Sequence, residues 1–384
     1  MKAVGIFWLI VQVLIGYNLV LPLLLYIIHL FVKKKNYLPA ATSEADFAII
    51  VTAYEQTNLL NQVVDSLLGL NYNNYIIYVV ADKCDISDLI FNDPKVILLR
   101  PENTLGSNTR SHFYAINRFV RKHERLTIID SDNLVDAQYL QALNKYFDEG
   151  FIAVQGVREA KNLNTPYACL DAARDIYYHF YDGKLLFEVG SSATLAGSGM
   201  AFTTELYKSC LQHLNITGAG FDKVLQYEIV KRGSRIAFAP GAHVYDEKTA
   251  KPDQLVKQRA RWINTWFKYF FYGFKLVAKG VTGFNINQFL FGFILLRPPL
   301  FIFLLLSLLC CVINLFVSPV TSIIWLVGIL LFVVGFLIAL MNTRIDKRIY
   351  SALLSIPKFM FLQVLSLTKV AKANKISVAT KHDF

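Results

Sequence analysis

The sequence predicts an α/β domain with a mostly parallel sheet, held between apolar helices that cross a membrane. Three observations carry this. Apolar residues make up 54% of the 384-residue chain and charged residues only 17%, against roughly 25% charged in ordinary soluble domains. The apolar excess sits at the two ends: no Asp, Glu, Lys or Arg occurs from Ala3 to Val32 or from Pro298 to Thr343. Between these ends, short buried-strand patterns alternate with helical ones. The balance excludes a disordered chain, a collagen-like chain and a small disulfide scaffold.

A span needs about 20 apolar residues. The first stretch supplies one, over 5–30. Lys33-Lys34-Lys35 follows it, where a removed signal peptide would end in small residues. With its basic linker this is a first segment, 1–45. The second segment, 46–262, opens on the strand pattern Phe47 to Thr52. Leu59, Leu60, Val63, Val64, Leu67 and Leu68 then fall on helical spacing over 57–69. Strand patterns return at 75–81, 96–99, 126–130 and 152–155. Such alternation implies a mostly parallel, Rossmann-like sheet, which binds ligands beyond the carboxyl ends of its strands. That rule singles out Tyr54, Asp82 and Asp130.

The third segment, 263–296, crowds Trp266, Phe267, Tyr269, Phe270, Phe271, Tyr272 and Phe274 around Lys268, Lys275 and Lys279. It reads as helix lying in the membrane interface. The fourth, 297–343, holds two spans, 299–317 and 321–341, broken at Ser318-Pro319. In the last segment, 344–384, residues 349–370 look interfacial again and are broken at Pro357-Lys358. As a span they would send Lys372, Lys375 and Lys381 outside, against the positive-inside rule. A cytosolic tail follows.

The net charge of the chain is +11. Residues 263–384 hold 12 Lys+Arg and 2 Asp+Glu, a net of +10, which leaves +1 for residues 1–262. The basicity therefore marks the membrane-proximal part and gives no sign of a nucleic-acid partner. Lys33 to Lys35, Arg297, and the cluster Arg344, Lys347 and Arg348 flank span ends. They place the middle of the chain and the carboxyl terminus in the cytosol. The expected protein is integral to the plasma (inner) membrane. Cys84, Cys169, Cys210, Cys310 and Cys311 have neither framework nor zinc spacing and read as reduced thiols.

Asp130-Ser131-Asp132 ends a strand. Two carboxylates so spaced suit a divalent cation, Mg2+ or Mn2+, and through it a diphosphate. Alone, a solvated turn explains them as well. Asp82 ends another strand, where a carboxylate can accept from the imide N–H of uracil or hold a turn. Gly197-Ser198-Gly199 offers either a close approach to backbone or a tight turn. Gln258-Arg259-Ala260-Arg261-Trp262 precedes the aromatic segment. Its Arg and Trp suit a diphosphate and a sugar ring, and equally a helix meeting headgroups.

The order of these features resembles the membrane-bound family 2 glycosyltransferases, the group of cellulose synthase, hyaluronan synthase and ceramide glucosyltransferase. The resemblance covers about 46–262 and the spans on either side. It implies a cytosolic GT-A catalytic domain that transfers a hexose from a nucleotide sugar, with UDP expected, and inverts the anomeric centre. Tyr54 and Asp82 would contact the base, and Asp130 and Asp132 the diphosphate and metal. Asp222, ten residues before Arg232-Gly233, would be the general base. Gln258, Arg261 and Trp262 match the Gln-x-x-Arg-Trp motif, which holds the diphosphate and borders the acceptor. Thr380 and Lys381 lie in a tail like the one that folds over the nucleotide in polymer-forming members. The partners implied are a lipid bilayer and a lipid, lipid-linked or polysaccharide acceptor. An oligomer would give a processive synthase enough spans for a pore. A non-catalytic scaffold is the reading of a different class. It draws on two departures: Phe221 replaces the Glu that usually precedes the base, and Glu55-Gln56 replaces Asn-Glu after the first-strand Tyr.

Overall fold

The computed structural model describes residues 2–33, 44–216, 218–343 and 345–373. Thr380 and Lys381 lie outside them, as do Lys34, Lys35, Arg344 and the rest of the tail.

Eight strands form one sheet. They are β1 (Phe47–Tyr54), β2 (Tyr75–Asp82), β3 (Val96–Leu99), β4 (Arg125–Asp130), β5 (Leu134–Val135), β6 (Ala153–Ala160), β7 (Met200–Thr203) and β8 (Ala237–Asp246). Their order is β3-β2-β1-β4-β7-β6-β8-β5. The β1–β2, β1–β4, β2–β3 and β6–β8 pairings are parallel, and the three involving β7 or β5 are antiparallel. The runs Phe47 to Val51 and Ile77 to Ala81 are buried throughout, as expected of strands covered on both faces. The helix predicted over 57–69 is Leu60–Leu68, with Leu60, Val63, Val64 and Leu67 buried against the sheet. The last predicted strand is longer than its apolar run. After a bulge at Gly156, β6 continues through Val157, Arg158 and Glu159 to Ala160. Pairing with β8 holds this polar half in place.

The register brings Tyr54 opposite Asp82 and Thr52 opposite Asp130. The three residues that follow the strand-end rule therefore share one edge of the sheet. β7 crosses antiparallel to β4 and returns Gly197 to Gly199 to that edge. The Ser198 hydroxyl accepts from the Asp130 backbone N–H at 3.1 Å. Gly197 and Gly199 have φ of +90° and +68°, so the glycines make the turn that only they adopt without strain.

Among the described residues, four helices are long and apolar enough to cross a membrane: Ala3–Phe31, Leu300–Val317, Pro319–Met341 and Lys347–Leu367. Ser318 ends one span and caps the next, accepting from Thr321 N–H at 3.4 Å, with Pro319 in the first turn. The Lys347–Leu367 stretch is the least apolar, with mean hydropathy 1.4 against 2.1 to 3.1 for the others. It is interrupted by a 3-10 turn at Leu353–Ser355.

One segment limit differs from expectation. The limit at residue 262 falls inside the helix Pro252–Tyr269, because nothing after Trp262 breaks its periodicity. The segment 263–296 then continues as two further helices, Phe271–Thr282 and Ile286–Leu296. Leu276, Phe291 and Ile294 from these helices join the core of the sheet domain. Tyr272 stacks on Tyr227 at 3.9 Å. The pair is docked on the sheet domain as well as carrying an exposed aromatic face at Phe271 and Phe274.

Candidate active site

A cavity of about 640 Å3 opens at the carboxyl edge of the sheet and runs towards the apolar helix Leu300–Val317. Tyr54, Asp130, Asp132, Asp222, Gln258, Arg261 and Trp262 all line it. The chain segments that carry them are far apart in sequence, so the fold brings these expected residues together.

Asp82 stands apart. It is 1% exposed and is not among the lining residues. Its carboxylate accepts from the backbone N–H groups of Leu105 and Gly106 at 2.9 and 2.8 Å. Its place in the structure is therefore that of a residue holding the 105–106 loop, which is the turn-holding alternative for such an Asp. Just after Tyr54 and Asp82, Glu55 and Lys83 both have positive φ, 60° and 55°. Side chains rarely adopt this region, and Asn tolerates it best. Here a Glu55–Lys83 ion pair at 2.7 Å spans the two turns. This gives a physical reason for Asn at the position after the first-strand Tyr and shows what replaces it.

Asp222 lies in the first turn of the helix Phe221–Lys231. There the helix dipole favours a carboxylate. Lys223 Nζ is 3.3 Å from its Oδ2 and also donates to the Leu195 carbonyl at 3.3 Å. Phe221 is buried and packs edge-on against His112 at 5.1 Å. The neighbour of Asp222 is thus an ammonium group, and the position of the usual Glu belongs to the core.

In the helix Pro252–Tyr269, the Gln258 Oε1 accepts from the Thr249 hydroxyl at 3.2 Å. Burial lowers the pKa of Arg261 from its ordinary value. Trp262 remains 38% exposed, with the guanidinium groups of Arg174 and Arg259 each 4.1 Å from its ring.

Sequence reasoning missed a group of buried charges beside these residues. Asp246 pairs with Arg158 and with Lys248, the latter at 2.5 Å. Asp175 pairs with Lys248 at 2.5 Å and with Arg174. Burial alone would raise the Asp175 carboxyl, but Arg174, Lys248 and Arg158 outweigh it and hold it well below the usual carboxylate range. At the end of the cavity nearest the apolar helices, Asp182 pairs with Arg297. The available signal was the grouping Asp171, Arg174 and Asp175 in an otherwise apolar and aromatic helix.

Among the described residues, no group of three or more His, Cys, Asp or Glu side chains is placed to hold a metal ion. Asp130 and Asp132 still fit one. They are hard oxygen donors on the cavity wall, and Mg2+-type ions are often held by two carboxylates with phosphate and water completing the shell.

A mostly parallel mixed sheet, with acidic strand ends at its cavity, is the fold of the GT-A type glycosyltransferases. Residues 45–265 match the family described as "Glycosyltransferase like family 2", and the chain belongs to that family. Among solved structures it is similar to the mannosyltransferase PcManGT from Pyrobaculum calidifontis in complex with GDP-Man and Mn2+. The TM-score is 0.56 at 14% identity, over 93% of this chain and 98% of that one. A looser likeness, TM-score 0.42 at 14% identity, links 60% of this chain to 66% of S. aureus TarS 1-349 in complex with UDP-GlcNAc. No curated protein sequence matches the chain.

Proposed function

We propose that the protein is an inverting hexosyltransferase that uses a nucleotide sugar, with UDP the expected nucleotide. The acceptor is a lipid or lipid-linked molecule at the cytosolic face of the plasma (inner) membrane. The observation that supports this most is the meeting of Asp130, Asp132, Asp222, Gln258, Arg261 and Trp262 on one cavity of about 640 Å3.

In this reading Asp222 takes the proton of an acceptor hydroxyl. The freed oxygen attacks the anomeric carbon in line with the departing phosphate oxygen. One C–O bond forms, the sugar–phosphate C–O bond breaks, and the nucleoside diphosphate leaves with the electron pair. Inversion follows from a single displacement. Lys223 pairs with Asp222 at 3.3 Å, and Arg261 holds the diphosphate oxygens through charge-assisted hydrogen bonds. Tyr54 borders the nucleotide and Trp262 the acceptor. Asp130 and Asp132 would hold a Mg2+ or Mn2+ ion, which would neutralise charge on the diphosphate.

The cavity continues past Tyr178 and Arg297 to Pro299 and Phe301, at the head of the Leu300–Val317 helix. This continuity favours an acceptor carried by the bilayer over a polymer threaded through a pore. A processive synthase is the second reading and would need spans contributed by further copies. The test is purified protein in lipid, incubated with a panel of nucleotide sugars and with Mg2+ or Mn2+. Free nucleoside diphosphate and product size are measured. Sugar transfer that stops in EDTA and returns with metal supports the reading. Transfer at full rate in EDTA, with no metal left bound, contradicts the metal assignment. No turnover with any donor or acceptor favours a non-catalytic scaffold.

A further inference from the structure

After the Pro319–Met341 span the chain all but loses its acidic residues. No Asp or Glu occurs from Lys347 to His382, while seven Lys and Arg fall there. A run of like charge repels itself unless negative charge meets it. Asp346, just before the run, pairs with Arg348 at 2.8 Å.

The helices of this run, Lys347–Ala352 and Ile356–Leu367, have two unlike faces. One is buried. Ile349, Ala352 and Phe359 pack with Leu170 and Ala173 of the helix Pro166–Tyr178 and with Leu340 of the preceding span. Gln363, one turn after Phe359, is buried and lines the cavity. Asn264, in the helix that carries Gln258, Arg261 and Trp262, donates to the Val370 carbonyl at 3.1 Å.

The other face is bare. Leu354 is 88% exposed and Phe361 67%, and Leu365 is exposed beside them. Leu354, Lys358, Phe361, Leu365 and Lys369 succeed one another at steps of three or four residues, the spacing that keeps side chains on one side of a helix. Apolar side chains between lysines suit a bilayer surface with negative headgroups. The place fits as well, because Lys347 follows the span end at Met341 closely, on the side that the charge rule assigns to the cytosol. A second copy of the chain would bring the same positive charge to this face.

We propose that Lys347–Leu367 is a strap on the bilayer whose outer face takes anionic lipid headgroups, and that this seating holds Gln363 on the cavity wall. Phe361 and Leu365 enter among the acyl chains, and Lys358 and Lys369 stay at headgroup level. The inner face grips the helix of Gln258, Arg261 and Trp262. A seated strap therefore fixes one wall of the cavity, and a lifted one loosens it. The lipid surface stands on these residues alone, whereas its effect on turnover rests on the glycosyltransferase reading above.

The test uses the full chain without its own five cysteines, carrying an environment-sensitive dye on Leu354→Cys. It is placed in nanodiscs of phosphatidylcholine, alone or mixed with phosphatidylglycerol. Dye emission should shift to the blue on the anionic discs and shift back in high salt. Each lysine removed should lower the ratio of seated to lifted strap about fivefold. Lys358→Gln together with Lys369→Gln should thus leave the dye in water on both kinds of disc. Thermal unfolding of this double variant on neutral discs should match the wild type, which separates lifting from misfolding. Sugar transfer by the wild type should be about threefold or more faster on anionic discs, and transfer by the double variant equal on the two. Dye emission that is the same on neutral and anionic discs overturns the headgroup assignment, as does emission that follows dimer formation instead of lipid. Dye burial combined with labelling of a cysteine after Phe384 from outside the cell overturns it too, since the helices then span. Lipid-dependent burial with lipid-independent transfer overturns the link to the cavity. Lipid-dependent burial without transfer under any condition keeps the surface and removes the glycosyltransferase reading.

Discussion

Asp222 is positioned by what surrounds Gly220. This glycine has φ +100°, and a Cβ there would stand 2.6 Å from Thr265 Cγ2 and 2.7 Å from Tyr269 Cε2. The start of the Asp222 helix is therefore pressed against the helix that carries Gln258, Arg261 and Trp262. Asp130→Asn or Asp132→Asn should weaken metal and nucleotide binding together, by roughly the tenfold to hundredfold typical of perturbed metal sites. Isothermal titration of Mn2+ and nucleotide checks this. At this scale the sequence was informative where a motif has fixed spacing, as in Asp130-Ser131-Asp132 and Gln258 to Trp262. It was silent on Arg158, Arg174, Lys248 and Arg259 as a group. Each looks like an ordinary surface charge until folding joins them through Asp171, Asp175 and Asp246. It left two roles open at Asp82, because the Leu105–Gly106 loop whose N–H groups its carboxylate accepts is distant in sequence.

Among the elements, the helices Phe271–Thr282 and Ile286–Leu296 touch backbone to backbone. A Cβ on Gly280 would lie 2.5 Å from Phe289 N and 2.7 Å from Phe289 Cα, and one on Gly273 would lie 2.7 Å from the Gly292 carbonyl. Backbone atoms cannot swing aside as a side chain does. Gly280→Ala should cost about 1–3 kcal/mol of stability through overpacking, read as a lower unfolding temperature in detergent. A substitution at Gly5, which has nothing within 4 Å, should leave that temperature unchanged. Strands β1, β2, β3, β4 and β6 and the three most apolar helices were legible because hydrophobic runs and Pro319 mark them, whereas β5, β7 and β8 carry no such run. The limits around residue 262 and the division of 263–296 were not. Aromatic residues serve a membrane interface and a domain core alike, and only packing on Tyr227 and the sheet separates the two roles.

For the whole molecule, the account places the amino terminus outside, and the catalytic domain and carboxyl terminus inside. The reason is the +10 charge of residues 263–384 and its position beside span ends. The same rule argues that Lys347–Leu367, although long enough to span, lies in the interface, where its Gln363 lines the cavity. A single cysteine appended after Phe384, in a chain without its own five, should stay unlabelled by an impermeant thiol reagent in intact cells and label after lysis. Labelling in intact cells would invert the carboxyl-terminal assignment and make Lys347–Leu367 a fourth crossing.

The central claim is that Asp222 is the base of a sugar transfer. The most direct measurement compares wild type and Asp222→Asn for turnover and for nucleotide affinity, with the best donor and acceptor from the panel. General-base catalysis contributes about 10²–10⁴-fold in rate. The account predicts a fall of that order in turnover, a nucleotide Kd within about twofold of wild type, and inversion at the anomeric carbon of the wild-type product. Equal turnover by Asp222→Asn and wild type, or a product with retained configuration, would contradict it.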